Sequence, residues 1–395
     1  MVRDFLISIY LLIVKVIFNI AKRAPQRKKT VFVSSFGDNI LFTVEALKKQ
    51  QYRGDIVILK EARCQFSFQE DKQTTVLPFQ PKKPLAFVKS IYHLATSEKV
   101  FVDNYFGFLA AVNFKKNVEC IQLWHASGAV KRFGLADPSI EGRTMKAKER
   151  FRKVYQRFDK VIVGSDKMAE IFKKSFDLED HNILKTGIPR TDFFYDDHSQ
   201  IEKKLRQQFS QIKGKKVLLY APTFREHQLT NPEIQLDLKL MYESLQEDSI
   251  LLLKLHPAVN SNFHNPYPEF IVDVSSGVHI NHLLLITDVL ITDYSSIPYE
   301  FSLLNKPMIF YSFDLEEYVR VRGFWEDYHT MTPGPVAYTT QEIIEILWEE
   351  NFNFELIKRF SKQWNEFSDG RSSEKLIEAV YDKKTSRLPE FVSQH

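Results

Sequence analysis

The sequence is poor in cysteine and lacks the short motifs that mark common metal sites. Its 395 residues include two cysteines, Cys64 and Cys120, which form neither a CxxC pair nor a zinc-binding spacing. We therefore expect two free thiols in a reducing compartment. There is no DxD motif and no histidine-rich pair. We expect no metal and no cofactor, so cationic side chains would carry any charge stabilisation.

The common nucleotide fingerprints are also missing, because neither GxxxxGK[ST] nor GxGxxG occurs. The net charge of +4 is small, and the basic residues are interleaved with acidic ones, which argues against nucleic acid as a partner. What remains is the composition of a globular protein, with 44% hydrophobic and 26% charged residues. The length indicates two domains.

Residues 5–21 form the most apolar segment. The run is short for a spanning helix and is not followed by a clean signal cleavage site. Polar residues recur on roughly one face of a helix: Asp4, Ser8, Lys15, Asn19 and Lys22. Four basic residues follow: Arg23, Arg27, Lys28 and Lys29. This pattern predicts an amphipathic helix in the interface of an anionic membrane, and a buried core helix is the alternative.

From Thr30 onward, short apolar strands alternate with helices, and the alternation restarts near residue 215. This predicts an α/β protein with two successive Rossmann-like, doubly wound halves, each with a parallel sheet covered on both faces. The predicted segments are 1–29 (membrane helix and linker), 30–195, 196–370, and a C-terminal helix and tail at 371–395. The default binding site is the interdomain cleft, beyond the carboxyl ends of the strands.

In the first half, the stretch LWHASGAVKRFG follows an apolar strand. It places His125 at the strand end, then the small residue Ser127, and then the cations Lys131 and Arg132. This pattern indicates a site where a histidine base lies next to a bound anion. Taken alone, His125 also fits a core histidine, and the Lys–Arg pair fits a solvated face.

Three strand ends in the second half carry polar residues: Thr223, Arg225 and Glu226; Lys254 and His256; Asp293, Ser295, Ser296 and Glu300. Free backbone N–H groups and two hydroxyls at a helix start form an anion site, and added cations would suit a diphosphate. Each residue also has an ordinary interpretation, such as an N-cap for the serines or an ion pair for Arg225. The coincidence of several polar strand ends favours a site.

Taken together, the motifs resemble the CDP-glycerol glycerophosphotransferases of Gram-positive wall teichoic acid synthesis, and within them the glycerol-phosphate primases. The resemblance runs from about Phe101 to Ser373. It rests on these segments, in order: WHASGAVKRFG, GSDKMAEIFKKSF, LKTGIPRTDFF, LYAPTFR, KLHP, LITDYSSIPYEFSLLNKPMIFY, RGFWEDY and SDGRSS.

The resemblance implies a GT-B fold with an N-terminal acceptor domain, a C-terminal donor domain, and a last helix, SSEKLIEAVYD, that crosses back to the first domain. It also implies transfer of glycerol phosphate from CDP-glycerol to an undecaprenyl-diphosphate-linked ManNAc–GlcNAc disaccharide, with release of CMP. Such an enzyme would sit peripherally on the cytoplasmic side of the cell membrane. The resemblance leaves the oligomeric state open.

The same resemblance implies roles for individual residues. His125 would be the general base, since an ordinary histidine pKa of about 6.5 suits that work near neutral pH. His256 would stabilise the donor diphosphate. The other residues that we expect to contact substrate are Ser295, Ser296, Arg190, Arg225, Thr223, Glu300, Lys254, Asp293, Ser127, Lys131 and Arg132. Of these, Lys131 and Arg132 would face the diphosphate of the lipid-linked acceptor.

Three alternatives stay open. One is a chain-extending transferase, although the WHASGAVK segment differs from the WHGTPLK of polymerases in the same family, and this difference favours a primase. A GT-B sugar transferase would use a nucleotide sugar instead of CDP-glycerol. An inactive, membrane-bound binding module would release no CMP with any acceptor.

Overall fold

The computed structural model describes residues 2–223, 225, 234–255 and 263–381. This part of the chain forms two compact units. The first unit is built from residues 2–127, 133–192 and 365–381, and the second from residues 128–132 and 193–364 outside the gaps at 224, 226–233 and 256–262. Each unit contains its own parallel sheet.

The units differ from the predicted domains in three segments: 128–132, 193–195 and 365–370. The domain predicted at 30–195 includes residues 128–132, but these pack in the second unit, where Lys131 forms an antiparallel β-bridge with Phe324. The domain predicted at 196–370 includes residues 365–370, but these belong to the first unit. There, the Phe367 N–H donates a hydrogen bond to the Gly164 carbonyl.

The first sheet has the order β3-β2-β1-β4-β5-β6-β7, with every pairing parallel. Its strands are β1 Lys29–Ser34, β2 Asp55–Lys60, β3 Thr74–Pro78, β4 Lys99–Val102, β5 Glu119–Gln122, β6 Lys160–Ile162 and β7 Ile183–Leu184. Strand β1 is buried along its whole length, as expected for a central parallel strand with both faces covered.

The helices of the first unit are α1 Val2–Ala21, α2 Asp38–Lys49, α3 Pro84–Ala95, α4 Met145–Tyr155, α5 Asp166–Phe176 and, from the end of the chain, α14 Ser372–Tyr381. Helix α14 packs on α2, and its Leu376 and Ile377 join one core cluster with Ile40 and Leu47. The Tyr381 hydroxyl also hydrogen-bonds Thr30 at the start of β1.

The second sheet has the order β10-β9-β8-β11-β12-β13, again parallel. Its strands are β8 Lys216–Ala221, β9 Ser249–Leu253, β10 Ile271–Asp273, β11 Val289–Thr292, β12 Met308–Tyr311 and β13 Val336–Ala337. The helices of this unit are α6 Ser199–Gln208, α7 Leu238–Leu245, α8 Ile280–Ile286, α9 Ile297–Phe301, α10 Leu315–Arg322, α11 Tyr328–Met331, α12 Thr340–Glu349 and α13 Phe354–Trp364. The predicted α/β class with two parallel sheets is confirmed.

Helix α1 packs against α3 and leaves most of its apolar side chains exposed. Its segment Asp4–Ala21 is long and apolar enough to cross a membrane, with a mean hydropathy of 2.0 and 11% of the segment buried. Val14 and Phe18 are fully buried. One predicted headgroup contact is wrong: Lys29 is 1% exposed, with its Nζ 3.3 Å from His93 Nδ1 and 5.0 Å from the Tyr92 ring.

Candidate active site

The first unit presents His125 just beyond strand β5. After that strand ends at Gln122, Trp124 adopts a φ of 56°, in the left-handed region that residues other than glycine rarely occupy. The imidazole Nδ1 then lies 3.2 Å from the carbonyl oxygen of Asp103, the residue after strand β4. Because a carbonyl only accepts hydrogen bonds, Nδ1 carries the proton and Nε2 is the basic nitrogen.

The environment of His125 is aromatic. The Phe36 ring stacks on the imidazole, with 4.0 Å between centroids and 7° between planes, and Trp124 lies 4.3 Å away. Burial lowers the pKa of His125 to about 3, and the charge of Arg190 contributes in the same direction. The imidazole is therefore neutral near pH 7 and able to accept a proton, but it is a weaker base than the ordinary value predicts.

Asp103 is a site residue that the sequence interpretation missed. Its buried carboxylate accepts hydrogen bonds from the backbone N–H groups of Ser35, Phe36 and Gly37, at 2.8, 2.9 and 3.0 Å. Burial raises the pKa of Asp103 to about 6, against these bonds, which favour the charged form. The carboxylate fixes the loop that carries Phe36, while the carbonyl orients His125. A charged residue directly after an apolar strand, KVFVD, was the available signal.

Arg190 lies close to this group. It sits in a 3-10 helix, Pro189–Tyr195, and its backbone N–H donates a 3.0 Å hydrogen bond to the Asn39 side chain. Its charge acts on His125. The structure therefore brings His125 and Arg190 together within the first unit, and it adds Asn39 to them.

Two of the quoted motifs, GIPRTD and SDGRSS, meet in the first unit. Both carboxylate oxygens of Asp192 accept backbone N–H groups at the start of α14, from Ser372 and Ser373, each at 2.8 Å. Gly187 has a φ of 81°, and a Cβ there would lie 2.3 Å from the Ser372 hydroxyl. The described contacts of these segments, apart from Arg190, hold the C-terminal helix in place.

The residues after His125 are divided between the two units. Ser127 is fully buried in the first unit. Lys131 belongs to the second unit, where its ammonium lies 3.3 Å from the Tyr318 hydroxyl, and burial lowers its pKa to about 8. Arg132 uses its Nε to donate to the Phe324 carbonyl at 3.0 Å.

Arg225 is already neutralised inside the second unit, contrary to the expectation that it supplies charge to a diphosphate. It is 6% exposed and binds Asp314 through Nε and Nη2, at 2.8 and 2.9 Å. Its Nη1 lies 3.0 Å from Asp293 and donates to the Thr223 carbonyl. Two carboxylates match one guanidinium, so binding a phosphate here would require breaking buried ion pairs.

Asp293 and Thr223 belong to the same network. Asp293 is 2% exposed and accepts the backbone N–H of Thr223 at 2.7 Å. The Thr223 hydroxyl is buried and has no hydrogen-bond partner within the described residues. Asp293 therefore orders the loop after β8.

The helix start after β11 is partly an ordinary cap. Ser295 accepts the Ile297 N–H at 3.3 Å and contacts the Thr292 hydroxyl at 2.9 Å, whereas Ser296 makes no capping bond from its side chain. Glu300 is 3% exposed within α9. Ser295 and Asp293 also line a small recess in the second unit.

Only the first two residues of the KLHP motif, Lys254 and Leu255, belong to the described part of the chain. Lys254 donates to three backbone carbonyls, those of Val274, Ser275 and Val278, at 3.0 to 3.1 Å. These bonds use all three ammonium protons, so Lys254 holds a loop and is not free to bind substrate. His256 and Glu226 lie outside the described residues. Across the described ranges, no three His, Cys, Asp or Glu residues group as metal ligands.

Comparisons with known proteins agree with this fold and these motifs. The profile of the family described as CDP-Glycerol:Poly(glycerophosphate) glycerophosphotransferase matches residues 16–382. The chain is 36% identical to a teichoic acid glycerol-phosphate primase of Bacillus subtilis (strain 168), over 96% of this chain and 98% of that protein. It is 29% identical to the enzyme of the same name from Staphylococcus aureus (strain NCTC 8325 / PS 47), over 96% and 98%.

Among solved structures, the wall teichoic acid polymerase TagF superposes with a TM-score of 0.79. The match covers 96% of this chain and 97% of the TagF chain, at 21% sequence identity. A likeness at that identity concerns the fold, and it identifies the architecture as GT-B-like.

Proposed function

The chain belongs to the CDP-glycerol:poly(glycerophosphate) glycerophosphotransferase family, and from this premise we propose that it is a teichoic acid glycerol-phosphate primase. The observation that carries the proposal is the match to the Bacillus subtilis primase at 36% identity over nearly the full length of both chains. Relatives named as polymerases match over a smaller share of their own length, for example 50% of the poly(glycerol phosphate) polymerase of the same strain.

The proposed reaction is a single transfer of glycerol phosphate from CDP-glycerol to a hydroxyl of a lipid-diphosphate-linked disaccharide. The acceptor oxygen forms a bond to the phosphorus of the glycerol phosphate, the bond from that phosphorus to the CMP oxygen breaks, and CMP leaves. The proton of the acceptor hydroxyl passes to a base. Neither a metal nor a redox partner is needed to balance this step.

We assign the base to Nε2 of His125. The hydrogen bond from Nδ1 to the Asp103 carbonyl supports this assignment, because it leaves Nε2 unprotonated. The Phe36 ring lies flat against the imidazole and would stabilise the imidazolium through a cation–π contact once the proton has arrived. Arg190 adds a positive charge near the base.

For the donor diphosphate we propose the Ser296 and Thr223 hydroxyls, together with the predicted contact from His256. The first two have side-chain oxygens without a described hydrogen-bond partner at the ends of β11 and β8. Arg225 serves these residues indirectly, by holding Asp293 and the Thr223 carbonyl in place.

The test of the function is a panel of donors and acceptors with the length of the product measured. We expect CMP release from CDP-glycerol only when the lipid-linked disaccharide is present, and addition of one glycerol phosphate. Long products would identify a polymerase, and turnover with a nucleotide sugar would identify a sugar transferase. An absence of CMP release with every acceptor would leave a binding module.

The role of His125 has its own test. We expect His125→Ala to lower turnover by at least ~10², the lower end for general-base catalysis, with little change in donor affinity. A His181→Ala variant, which changes a 70%-exposed histidine side chain on the same unit, provides the control. Near-normal turnover of His125→Ala would return that residue to a packing role.

We also propose that the enzyme binds the cytoplasmic face of the membrane through α1 and α3. Helix α1 exposes Phe5, Leu6, Ile9, Leu12, Ile13, Val16 and Ile20, and α3 exposes Leu85 and Val88. Soluble surfaces rarely collect so many large apolar side chains in one region. Exposed cations border them: Lys15, Arg23, Arg27, Lys28, Lys82, Lys83 and Lys89. Anionic headgroups complement such a border.

Flotation with vesicles of anionic and of zwitterionic lipid tests this surface. We expect Val16→Asp and Leu85→Asp to weaken binding to anionic vesicles, because each buries a charge in the apolar layer. Val321→Asp, at a 56%-exposed valine of the second unit, is the matched control. Protein that resists extraction at high pH would instead indicate that α1 spans the bilayer.

A further inference from the structure

We propose that Asn39 is a positioning residue for the transfer reaction: its side-chain amide holds the turn that presents His125 and ties that turn to the backbone of Arg190. The inference rests on the proposed function, which gives His125 and Arg190 their roles. Asn39 lies in the first turn of α2 and is 2% exposed.

Both the nitrogen and the oxygen of the Asn39 side-chain amide form hydrogen bonds. Its Nδ2 donates to the carbonyls of Leu123 and Trp124, at 3.2 and 3.0 Å, and its Oδ1 accepts the Arg190 N–H at 3.0 Å. The partners themselves fix which end is nitrogen, because two carbonyls require a donor and one N–H requires an acceptor. The three partners lie at least 84 residues along the chain from Asn39 and outside its own helix.

The turn that Asn39 holds is strained. Trp124 has a φ of 56°, a conformation that side chains larger than glycine adopt at an energetic cost and only where the surroundings enforce it. Both peptide groups of Trp124 are fixed: its N–H donates to the Gln122 side chain at 2.8 Å, and its carbonyl accepts from Asn39. His125 is the next residue, so the direction of the imidazole follows from this turn.

The second bond of Asn39 sets where the Arg190 segment lies. The backbone of Arg190 is hydrogen-bonded to the same amide that binds the Trp124 carbonyl. The Asn39 side chain therefore fixes the position of the Arg190 segment relative to the turn that carries His125. The charged groups that face the imidazole are Arg190 and Arg63, and the Asp103 carboxyl lies on the adjacent strand end. Arg63 is paired with Glu61 at 2.9 Å.

The loss of Asn39 would therefore affect the reaction in two measurable ways. A relaxed turn would turn the imidazole away from the Asp103 carbonyl and into a wetter environment, farther from Arg190. The pKa of His125, which burial and Arg190 now lower, would then rise towards the ordinary histidine value. The acid limb of the pH–rate profile would move to higher pH, because more of the base would be protonated at a given pH.

The experiment compares the wild type, Asn39→Ala, Asn39→Asp and a control, Ser90→Ala. Ser90 is fully buried in α3, and its hydroxyl donates to the Ala86 carbonyl of the same helix, so this variant removes a buried polar group away from the turn. Steady-state kinetics with CDP-glycerol give kcat and KM. A histidine NMR titration of the full-length protein, assigned with His125→Gln, gives the pKa of His125 without any turnover.

We expect both Asn39 variants to lower kcat roughly 10–100-fold, the effect of misplacing a reacting group by about 1 Å, with a smaller change in KM. The Asp variant keeps the size and the acceptor but loses the donor, so it tests the donor specifically and carries the test if the Ala variant does not fold. In both variants the titration of His125 should move to higher pH, whereas Ser90→Ala leaves it in place.

Two results would overturn the inference: kcat of both Asn39 variants within twofold of Ser90→Ala, or an unchanged titration of His125. A wild-type protein that releases no CMP from CDP-glycerol would overturn the proposed function instead. In that event the NMR titration still decides whether Asn39 positions His125.

Discussion

Two cations in the second unit, Arg225 and Lys254, bind partners that lie far along the chain. Arg225 meets Asp314, 89 positions later, and Lys254 meets three carbonyls that begin 20 positions later. The sequence places both cations correctly at strand ends. It does not reveal the atoms they bind, because those atoms reach them only when the fold closes.

Replacement of Arg225 separates its structural role from donor binding. In Arg225→Met, Asp293 and Asp314 lose their shared cation while Asp293 stays buried, and breaking a buried pair in this way costs about 3–5 kcal/mol. Urea unfolding measures the loss. Arg320→Met, at an exposed residue 3.9 Å from Glu317, should change the free energy of unfolding little. Unchanged stability with weakened CDP-glycerol binding would restore Arg225 as a direct ligand.

His93 makes the stability of the protein depend on pH. Burial, together with the charge of Lys29, lowers the pKa of His93 to about 4, from an ordinary 6.5. Between these values the unfolded chain binds a proton that the folded chain does not, so the free energy of unfolding falls as the pH falls through this window. The slope approaches about 1 kcal/mol per pH unit near pH 5.5.

The measurement is urea unfolding of the wild type and His93→Gln at pH 7 and pH 5. The variant should lose less stability between the two values. Asp103 works in the opposite direction in part of this range, because burial raises its pKa to about 6. Both proteins share Asp103 and His125, so the difference between the two slopes isolates His93. An equal loss of unfolding free energy between pH 7 and pH 5 in the wild type and in His93→Gln would contradict the prediction.

At the scale of elements, buried strands were the most predictable feature. The runs TVFVS, DIVILK and VLLYA are apolar and buried along nearly their whole length, and each forms a strand where the pattern indicates one. Strand β3 is hard to predict because it lies at the sheet edge and is mostly half-buried, so its sequence carries little apolar signal. The two-residue strands β7 and β13 are too short to show a period.

The start of helix α14 is the element-scale feature most open to test. Asp192 accepts two N–H groups there, so Asp192→Ala leaves two donors unpaired near the buried end of the helix. We expect a loss of about 1–3 kcal/mol in local stability. Hydrogen exchange of the α14 amides measures it. Asp180→Ala, at a 90%-exposed side chain, is the control and should leave α14 protected. Equal protection in both variants would contradict this role for Asp192.

At the scale of the whole molecule, the chain passes between the two units more than once. The first unit takes residues from three separate parts of the sequence, and residues 128–132 belong to the second. The hydrophobic periodicity of the sequence predicts two halves, but it does not predict that segment 128–132 joins the second unit. The residues AVKR show no periodic pattern. They are held in the second unit by two backbone hydrogen bonds, from the Arg132 N–H to the Gly323 carbonyl and from the Trp325 N–H to the Val130 carbonyl. The motif order therefore did not reveal that His125 and Lys131 belong to different units.

Truncation tests this division. A chain that ends at residue 364 lacks α14 and uncovers Ile40, Val44 and Leu47 in the core of the first unit. A chain that ends at residue 381 keeps them covered. We expect the shorter chain to unfold at lower urea concentration and to bind more of a dye that reports exposed apolar surface. Similar midpoints for the two chains would mean that α14 contributes little to the first unit.

The return of α14 to the first sheet also fixes an order of events during synthesis. The ribosome finishes all seven strands of the first sheet by residue 184, yet the helix that covers α2 begins at Ser372. At about 5–20 residues per second, roughly ten to forty seconds pass between the two. During that interval the nascent chain displays both the uncovered face of α2 and the apolar α1. A chaperone or the membrane itself has its best opportunity to bind the protein then, before the last helix is made.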